Sequence, residues 1–459
     1  MRYDLKGKRV LVMGLGLFGG GVGATRFLVQ QGAIVTVTDL RSAEALSTSI
    51  QALDGLPVTY KLGGHDVDHF THADLVVANP AVPRSSPFLL AAEKAGVPIT
   101  TEICLFVTHC RAKIIGVTGS SGKTTTTTLI GEMLKRVDAH TLVGGNIGRS
   151  LLDDVTDIDP EVPVVLELSS FQLDRLGELP WSPHIAVVTN FAPNHIDIHG
   201  SLDAYRQAKK NILAHQTAND WAIVNAEDGD VMAWKGNGQR VWFGLGGDCK
   251  NGVFVRDGVI YAAMKGHTHA ICSVNVLQLP GRHNLANAMA AIGAAIVSGV
   301  PDADIVSVLQ SFTGVPHRLE RVALINGVTY VNDSIATSPD RTLVALEAMD
   351  RECILIAGGY DKKIPYDSLA PAIALKVSHL ILMGQTAQAI AHVVPQTAKT
   401  QIHFVTDLHE AISVAHRLAK SNQTVLLSPA SASYDQFLNF EARGNLFKDL
   451  VHKLKQAAI

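Results

Sequence analysis

Short apolar runs alternate with amphipathic helical segments along the N-terminal part of the chain. Residues 9–13 form an apolar run, and the glycine-rich sequence GLGLFG (14–19) follows it. A helical pattern then extends to about Gln31, and a second apolar run (33–39) ends at Asp39. An acidic residue about 20 positions after the glycines is typical of dinucleotide-binding folds. This region by itself therefore indicates either an NAD-dependent oxidoreductase or a Rossmann-like fold that binds another diphosphate.

The central pattern is an apolar run, a glycine loop and a helix start. Residues 113–117 lead into GVTGSSGKTT (116–125), and a Thr-rich helical segment continues to Lys135. Backbone N–H groups and a helix N-terminus at such a junction form a cradle for phosphate, Lys123 can reach the outer phosphates, and Thr124 can ligate Mg²⁺. The predicted cradle consists of Gly119, Ser120, Ser121, Gly122, Lys123, Thr124 and Thr125.

The same alternation continues to the C-terminus. Further strands are expected at 163–169, 184–190, 222–225, 328–331, 353–357, 379–383 and 424–427. Strands separated by helices predict an α/β fold with parallel sheets. We expect three domains: a Rossmann-like domain at 1–100, a P-loop ATPase-like domain with a mostly parallel sheet at 101–314, and a Rossmann-like domain at 315–459.

Composition narrows the function classes. The 459 residues are 47% hydrophobic and carry a net charge of -3, which gives no electrostatic reason to expect nucleic acid or an anionic membrane. The uncharged helical stretch 284–300 is too short and Ala-rich for a membrane span. No signal-peptide pattern opens the sequence, and the five cysteines are scattered, as in reduced cytosolic proteins. A cytoplasmic location is expected.

Several polar residues lie where a nucleotide site needs them. Glu167 ends a predicted strand, which suits a Mg²⁺ ligand, although it can also be an ordinary strand-end carboxylate. His195 can ligate a metal or position phosphate, whereas Asp197 and His199 are interpreted as solvated loop residues. Spacing alone favours a surface position for Lys209.

Two further groups suit a nucleotide site as well as a simpler role. Asn284 and Asn287 share one helical face and suit a nucleotide contact, but a helix cap is the simpler interpretation. Arg318 can reach phosphates or lie at the surface.

The motifs resemble those of the Mur ligase family of peptidoglycan precursor synthesis over essentially the whole chain. They are TGSSGKT (118–124), GGNIG (144–148), LELSSFQL (166–173), NHID (194–197), LPGRHN (279–284), PHR (316–318), NDS (332–334), GG (358–359) and LSPASASYDQF (427–437). LSSFQL (168–173) and SPASASYDQF (428–437) are typical of the glutamate-adding branch.

The resemblance implies a role for each matched position. The contacts to the UDP-linked substrate are Leu17, Phe18, Asp39, Arg41, Asn146, Ser169, Gln172 and His195. The ATP contacts, besides the phosphate loop, are Asn284, Asn287, Arg318 and Asp333. The glutamate pocket consists of Thr337, Lys362, Ser433 and Phe440. The metal ligands are Thr124, Glu167, His195 and a carbamylated Lys209, and Lys123, His195 and Lys209 form the catalytic group.

The resemblance further implies an ATP-dependent ligase that joins D-glutamate to UDP-N-acetylmuramoyl-L-alanine through an acyl phosphate. Two Mg²⁺ ions are expected as cofactors, only small molecules are expected as partners, and the chain is expected to be a monomer. The family often has a lysine where Ile335 stands, Ser-Pro-Gly at residues 79–81 and a small polar residue at Phe18. A sibling ligase or folylpolyglutamate synthase that uses another amino acid, including L-glutamate, remains open, as does an NAD-binding oxidoreductase.

Overall fold

A computed structural model describes residues 3–16, 19–80, 82–147, 150–194, 196–247, 249–279, 281–349, 351–362 and 364–457. The chain divides into two compact units, residues 1–312 and 313–459. The described residues form three β-sheets, two in the first unit and one in the second. The three domain ranges expected from the sequence stay a prediction.

The first sheet lies in the N-terminal part of the first unit and is parallel. Its strands are β1 (Arg9–Met13), β2 (Ile34–Asp39), β3 (Val58–Leu62), β4 (Leu75–Ala78) and β5 (Ile99–Thr100). The helices are α1 (Gly20–Gln30), α2 (Ser47–Gln51), α3 (Val67–Thr71), α4 (Pro87–Lys94) and α5 (Glu102–His109). The spatial order β3-β2-β1-β4-β5 places the glycine turn after β1 where the strand order reverses, which is where open α/β sheets bind ligands.

The second sheet carries the phosphate loop. Its strands are β6 (Ile114–Thr118), β7 (Leu142–Gly145), β8 (Val164–Glu167), β9 (Ile185–Val188), β10 (Trp221–Asn225), β11 (Gln239–Gly244), β12 (Gly252–Arg256), β13 (Val259–Met264) and β14 (His267–Ser273). The helices are α6 (Lys123–Lys135), α7 (Ser170–Leu176), α8 (Ile196–His199), α9 (Leu202–Ala214), α10 (Gly229–Met232), α11 (Arg282–Val297) and α12 (Asp302–Ser311). The order is β14-β13-β12-β11-β10-β9-β6-β8-β7, so β6 lies between β9 and β8.

The third sheet forms the second unit. Its strands are β15 (Glu320–Ile325), β16 (Val328–Asn332), β17 (Cys353–Gly358), β18 (Val377–Met383), β19 (Gln401–Phe404) and β20 (Thr424–Leu427), in the order β15-β16-β20-β17-β18-β19. The helices are α13 (Pro339–Glu347), α14 (Ala370–Lys376), α15 (Ala387–Val393), α16 (Leu408–Leu418) and α17 (Phe440–Ala457). Strands β16 and β20 are parallel neighbours, so the segments that follow them leave the same edge of the sheet.

Apolar strands buried on both faces hold these sheets together. Every residue of β6, β8 and β9 is buried, which requires helices on both sides. Helix α5 contributes Leu105 and Phe106 to an apolar cluster that also contains Val12 of the first sheet and Val164 of the second. That shared core explains why the first two sheets belong to one unit.

The structure confirms the predicted α/β class and mostly parallel sheets, with two local differences. Strands β12, β13 and β14 pair antiparallel, and β15 pairs antiparallel with β16. The hydrophobic pattern also missed four strands that lie at sheet edges and are only partly buried: β3, β7, β15 and β19. Among the described residues, no helix combines the length and apolar character that a membrane span requires.

Candidate nucleotide and ligase site

The loop between β6 and α6 needs its glycines for physical reasons. Gly119 has a φ of 156°, and a Cβ there would lie 1.9 Å from Oγ1 of Thr189. Gly122 is the N-cap of α6 with a φ of 77°, and its Cβ would lie 2.1 Å from Oδ1 of Asn287. The loop is therefore pressed between the end of β9 and helix α11, and its backbone conformation strongly disfavours other residues.

The end of β9 fixes the loop by hydrogen bonds. The backbone N–H of Ser120 donates to the carbonyl of Asn190 at 3.0 Å, and the N–H of Ser121 donates to the Asn190 side chain at 2.9 Å. The Thr189 hydroxyl donates to the Ser121 carbonyl at 2.6 Å. Sequence reasoning did not single out Thr189 and Asn190; the available signal was their position directly after a buried strand.

Lys123 and Thr124 are the first two residues of α6, where the helix dipole favours an anion. The Lys123 ammonium curls over the loop, with Nζ 3.0 Å from the Gly119 carbonyl oxygen and 3.2 Å from that of Ser120. Thr124 is buried at the same helix start. The predicted cradle residues are thus brought together with a cation above them.

Lys209 of α9 is not the surface lysine that its spacing favours, because its side chain is only 1% exposed. Its Nζ donates to the Gly119 carbonyl at 2.8 Å and lies 5.0 Å from the ring centre of Tyr205. Burial lowers the pKa of Lys209 to about 7, and the positive charge of Lys123 acts in the same direction, whereas Glu167 opposes it. A large fraction of this amine is consequently neutral near pH 7.

Glu167 ends β8 and is 2% exposed. Its Oε1 accepts a hydrogen bond from Nδ2 of Asn146 at 2.9 Å, whereas Oε2 is buried and accepts none from the described residues. A buried carboxylate oxygen without a donor is costly unless a cation or another donor reaches it. The described residues contain no cluster of three or more His, Cys, Asp or Glu side chains that could hold a metal ion. His195, the predicted histidine ligand, lies outside the described residues.

Two predicted substrate contacts also have a local structural role. Ser169 is the N-cap of α7, and Gln172 completes a capping box with it. The Ser169 hydroxyl accepts from the Gln172 N–H at 3.2 Å, and the Gln172 side chain accepts from the Ser169 N–H at 3.0 Å. The capping box holds both side chains at the end of β8, next to Glu167.

Residues on the helices around the loop differ in part from the sequence interpretation. The N-cap of α11 is Gly281, so neither Asn284 nor Asn287 caps that helix, and Asn287 is buried against Gly122. His199 is not a solvated loop residue, because it lies in α8, stacks on Phe171 at 5.1 Å and contacts the Ser170 hydroxyl at 3.0 Å. Asp197 lies in the same helix.

The glycine turn after β1 is closed by Asp39. One carboxylate oxygen accepts from the Gly16 N–H at 3.2 Å and the other from the Arg41 N–H at 2.9 Å. The Arg41 guanidinium lies 3.8 Å from the same carboxylate. Asp39 and Arg41 therefore meet at the turn, whereas Leu17 and Phe18, expected to contact the same ligand, lie outside the described residues.

In the second unit, Asp333 follows β16 and is buried beside the end of β20. The Ser428 hydroxyl donates to one of its oxygens at 2.7 Å and the Leu319 N–H to the other at 3.1 Å. Burial raises the pKa of Asp333 to about 6, against those hydrogen bonds and the positive charge of Arg318. Arg318, the neighbour of Leu319, is thus close enough for its charge to act on the Asp333 carboxyl.

The four residues predicted to bind glutamate lie on segments that touch one another. Nζ of Lys362 donates to the Thr337 carbonyl at 3.3 Å. Ser433 is buried in the loop after β20, and the Phe440 carbonyl accepts from the Ser334 hydroxyl at 2.8 Å. The backbone N–H of Ile335 donates to the His317 carbonyl at 3.1 Å.

Comparison with protein-family models supports the family resemblance that the sequence motifs indicate. Family models match three stretches: the Mur ligase MurD-like N-terminal domain at residues 8–101, the Mur ligase middle domain at 117–295, and the Mur ligase glutamate ligase domain at 317–431. The chain belongs to the Mur ligase family.

Similar Mur ligases align along almost the entire length of the chain. The UDP-N-acetylmuramoylalanine–D-glutamate ligase of Roseiflexus sp. (strain RS-1) is 42% identical, over 98% of this chain and 99% of that protein. The enzyme of the same name from Symbiobacterium thermophilum is also 42% identical, over 97% and 98%.

Solved structures of Mur ligases share the fold. The UDP-N-acetylmuramate-alanine ligase of Thermotoga maritima superposes with a TM-score of 0.55 at 22% identity, over 98% of this chain and 100% of that one. A murein peptide ligase of Psychrobacter arcticus 273-4 gives a TM-score of 0.51 at 18% identity, over 98% and 99%.

Proposed function

We propose that this Mur ligase joins D-glutamate to UDP-N-acetylmuramoyl-L-alanine, with conversion of ATP to ADP and phosphate. One observation supports an ATP-dependent reaction most strongly. The Nζ atoms of Lys123 and Lys209 both donate to the Gly119 carbonyl of the phosphate loop, next to the buried Glu167. The names of the relatives at about 40% identity support the choice of substrates.

The proposed reaction has two steps. The free carboxylate of the UDP-linked substrate attacks the γ-phosphorus of ATP, the bond to the bridging oxygen breaks, and ADP leaves. The glutamate amine then attacks the acyl phosphate, loses a proton, and phosphate departs from the tetrahedral intermediate. Lys123 and the N-terminus of α6 supply positive charge to the transferring phosphoryl group, so no nucleophilic side chain is required.

The residues around Glu167 fit the Mg²⁺ that the family implies. Oε2 of Glu167 is a buried carboxylate oxygen without a donor among the described residues, and Thr124 places a hydroxyl at the start of α6. We assign both as ligands together with His195 and a modified Lys209. When bound, Mg²⁺ neutralises charge on the phosphate oxygens.

Lys209 is suited to carbamylation because burial favours its neutral amine. The amine nitrogen attacks CO₂, a C–N bond forms and one proton is released, which leaves a carboxylate on the lysine. A buried amine beside Lys123 thereby becomes a negatively charged oxygen ligand that the site can pair with a cation.

The other substrates are assigned to the positions that the resemblance gives. Asp39, Arg41, Leu17 and Phe18 would bind the UDP part, and Asn146, Ser169, Gln172 and His195 the muramoyl-alanine end. ATP would contact Asn284, Asn287, Arg318 and Asp333. Thr337, Lys362, Ser433 and Phe440 would bind glutamate. We place the reaction in the cytoplasm and propose that the enzyme acts as a monomer on small molecules.

An omission assay tests this proposal. Purified protein should release phosphate only when ATP, Mg²⁺, UDP-N-acetylmuramoyl-L-alanine and D-glutamate are all present. Lys123→Ala should lower turnover by about a thousandfold or more, because it removes charge stabilisation from the transition state. Phosphate release that does not depend on the UDP-linked substrate, or near-normal turnover of folded Lys123→Ala, would contradict the assignment.

A further inference from the structure

Arg443 is a fully buried arginine in the first turn of α17, with an exposed fraction of 0%. Its guanidinium donates to uncharged oxygens: the Ser334 hydroxyl and carbonyl, each at 3.0 Å, the Ser431 carbonyl at 3.1 Å and the Ala432 carbonyl at 3.2 Å. Among the described residues no carboxylate forms an ion pair with it, and burial lowers the pKa of Arg443 to about 9. The charge of Asp435 opposes that lowering without an ion pair. A buried charge whose hydrogen-bond acceptors are all neutral is expensive, so an arginine at this position needs an explanation beyond packing.

The acceptors of Arg443 lie on two segments that leave the same edge of the sheet. Ser334 follows β16, and Ser431 and Ala432 follow β20. The two strands are parallel neighbours, but their downstream segments are 97 residues apart in the chain when counted from Ser334 to Ser431. The planar fork of one guanidinium bonds both segments at once, which a lysine cannot reproduce.

The bonded segments carry the predicted glutamate pocket. Ser433 directly follows Ala432, whose carbonyl also accepts from the Tyr360 N–H at 2.9 Å, two residues before Lys362. The Ser334 hydroxyl, which accepts from Arg443, donates in turn to the carbonyl of Phe440.

The space around these contacts is tight. A Cβ on Gly359 would lie 2.1 Å from the Ala432 oxygen and 3.2 Å from Nη1 of Arg443. One guanidinium therefore contacts three segments, directly or through one intervening residue: those before Lys362, before Ser433 and around Phe440. A small displacement of that guanidinium would move all of them.

We infer that Arg443 is a positioning residue for the amino-acid substrate, which fixes Ser433, Phe440 and Lys362 relative to one another without touching the substrate. This inference rests on the proposed function. A displacement of a binding group by about 1 Å can lower enzyme activity by one to two orders of magnitude. Since Arg443 fixes the segments of the glutamate pocket, loss of its guanidinium should weaken glutamate binding in particular.

Steady-state kinetics of Arg443→Met and Arg443→Lys test the inference. At saturating ATP and UDP-linked substrate, the KM for D-glutamate should rise about tenfold or more in Arg443→Met, and less in Arg443→Lys, which keeps the charge but not the fork. The KM for the UDP-linked substrate, whose predicted contacts lie in residues 1–312, should stay within about twofold of the wild-type value.

Arg240→Met is the matched control. Arg240 is a half-buried arginine of β11 that donates to the carbonyl of Trp234, which is not among the predicted ligand contacts. The Arg240→Met substitution should lower the melting temperature of the protein without changing the KM for glutamate. A similar pattern in Arg443→Met, with an unchanged KM for glutamate, would show that Arg443 is merely structural and overturn the inference.

Ser334→Ala decides the case if Arg443→Met does not fold. This smaller change removes the hydroxyl that links Arg443 to the Phe440 carbonyl, and it should raise the KM for glutamate about threefold or more, since a hydrogen bond to a charged group is lost. An unchanged KM for glutamate in Ser334→Ala overturns the inference. If wild-type protein shows no glutamate-dependent phosphate release, the proposed function itself fails, and the inference fails with it.

Discussion

Asn146, which is exposed, is hydrogen-bonded to the buried Glu167, and only one of the two carboxylate oxygens of Glu167 is satisfied. Nδ2 of Asn146 donates to Oε1 at 2.9 Å, and the backbone N–H of Asn146 donates to the Glu167 carbonyl at 2.8 Å. Oε2 is left without a donor among the described residues. Asn146 thus orients the carboxylate so that its second oxygen is available for a cation.

Glu167→Gln should weaken the response to Mg²⁺. The amide keeps the size of the side chain and the hydrogen bond from Asn146, but it removes the negative charge. We expect kcat to fall about a hundredfold or more, with a higher Mg²⁺ concentration needed for half-maximal turnover.

Glu161→Gln is the control for that substitution, since Glu161 is an exposed carboxylate just before β8. It should behave as the wild type. An unchanged Mg²⁺ dependence in Glu167→Gln would remove Glu167 from the set of ligands.

Lys209→Ala should be nearly inactive and should recover in part when short carboxylates are added, because they can replace the missing carbamate. Wild-type protein equilibrated with ¹³C-labelled bicarbonate should show a carbamate signal by NMR that Lys209→Ala lacks. Lys210→Ala, at the neighbouring position of α9, should keep both the signal and the activity. Full activity of wild-type protein with an unmodified lysine would contradict the assignment.

Asp333 should make the stability of the second unit depend on pH. Its pKa rises from 3.8 to about 6 in the folded state, so the folded protein binds a proton between these values that the unfolded chain has released. The free energy of unfolding should therefore fall as pH rises from about 3 to 7, by roughly 3 kcal/mol in total, and level off above about pH 7.

Asp333→Asn should remove that slope. Its amide can keep the bond from the Leu319 N–H and donate to the Ser428 hydroxyl, which can turn towards Thr342 at 3.0 Å. Denaturant unfolding of both proteins at pH 4 and pH 6.5 measures the difference. If the difference in unfolding free energy between wild type and Asp333→Asn is the same at both pH values, Asp333 titrates normally in the folded protein.

The N-terminal sheet should bind the UDP-linked substrate and not NADH. The glycine turn and Asp39 resemble a dinucleotide fingerprint, but the phosphate loop of the second sheet already accounts for ATP. Titration calorimetry should show binding of UDP-N-acetylmuramoyl-L-alanine and no binding of NADH. The Asp39→Ala substitution should weaken the binding of the UDP-linked substrate. Tight NADH binding without binding of the UDP-linked substrate would reverse the interpretation.

Local features of the site could be read from the sequence, whereas contacts between distant segments could not. The phosphate loop is a short pattern in which glycine spacing and the helix start determine the conformation, so Gly119 to Thr125 were found without a structure. The burial of Lys209 depends on a contact with Gly119, 90 residues away, and nothing in the surrounding helix indicates it.

Arg443 and Asn190 were missed for the same reason. Arg443 bonds Ser334 from 109 positions away, and the role of Asn190 follows only from the adjacency of β9 and β6. The roles of Lys209 and of the glutamate-pocket residues came from family resemblance, and contacts over long chain distances explain why residue spacing alone could not supply them.

The amino-acid specificity tests the account most directly. Phosphate release should be measured with ATP, Mg²⁺ and UDP-N-acetylmuramoyl-L-alanine in the presence of D-glutamate, L-glutamate or D-alanine at equal concentration. We predict rapid release with D-glutamate alone, because Lys362 provides a cation for the side-chain carboxylate that alanine lacks, and the resemblance assigns the D configuration. A clear preference for L-glutamate or for alanine would contradict the proposed function.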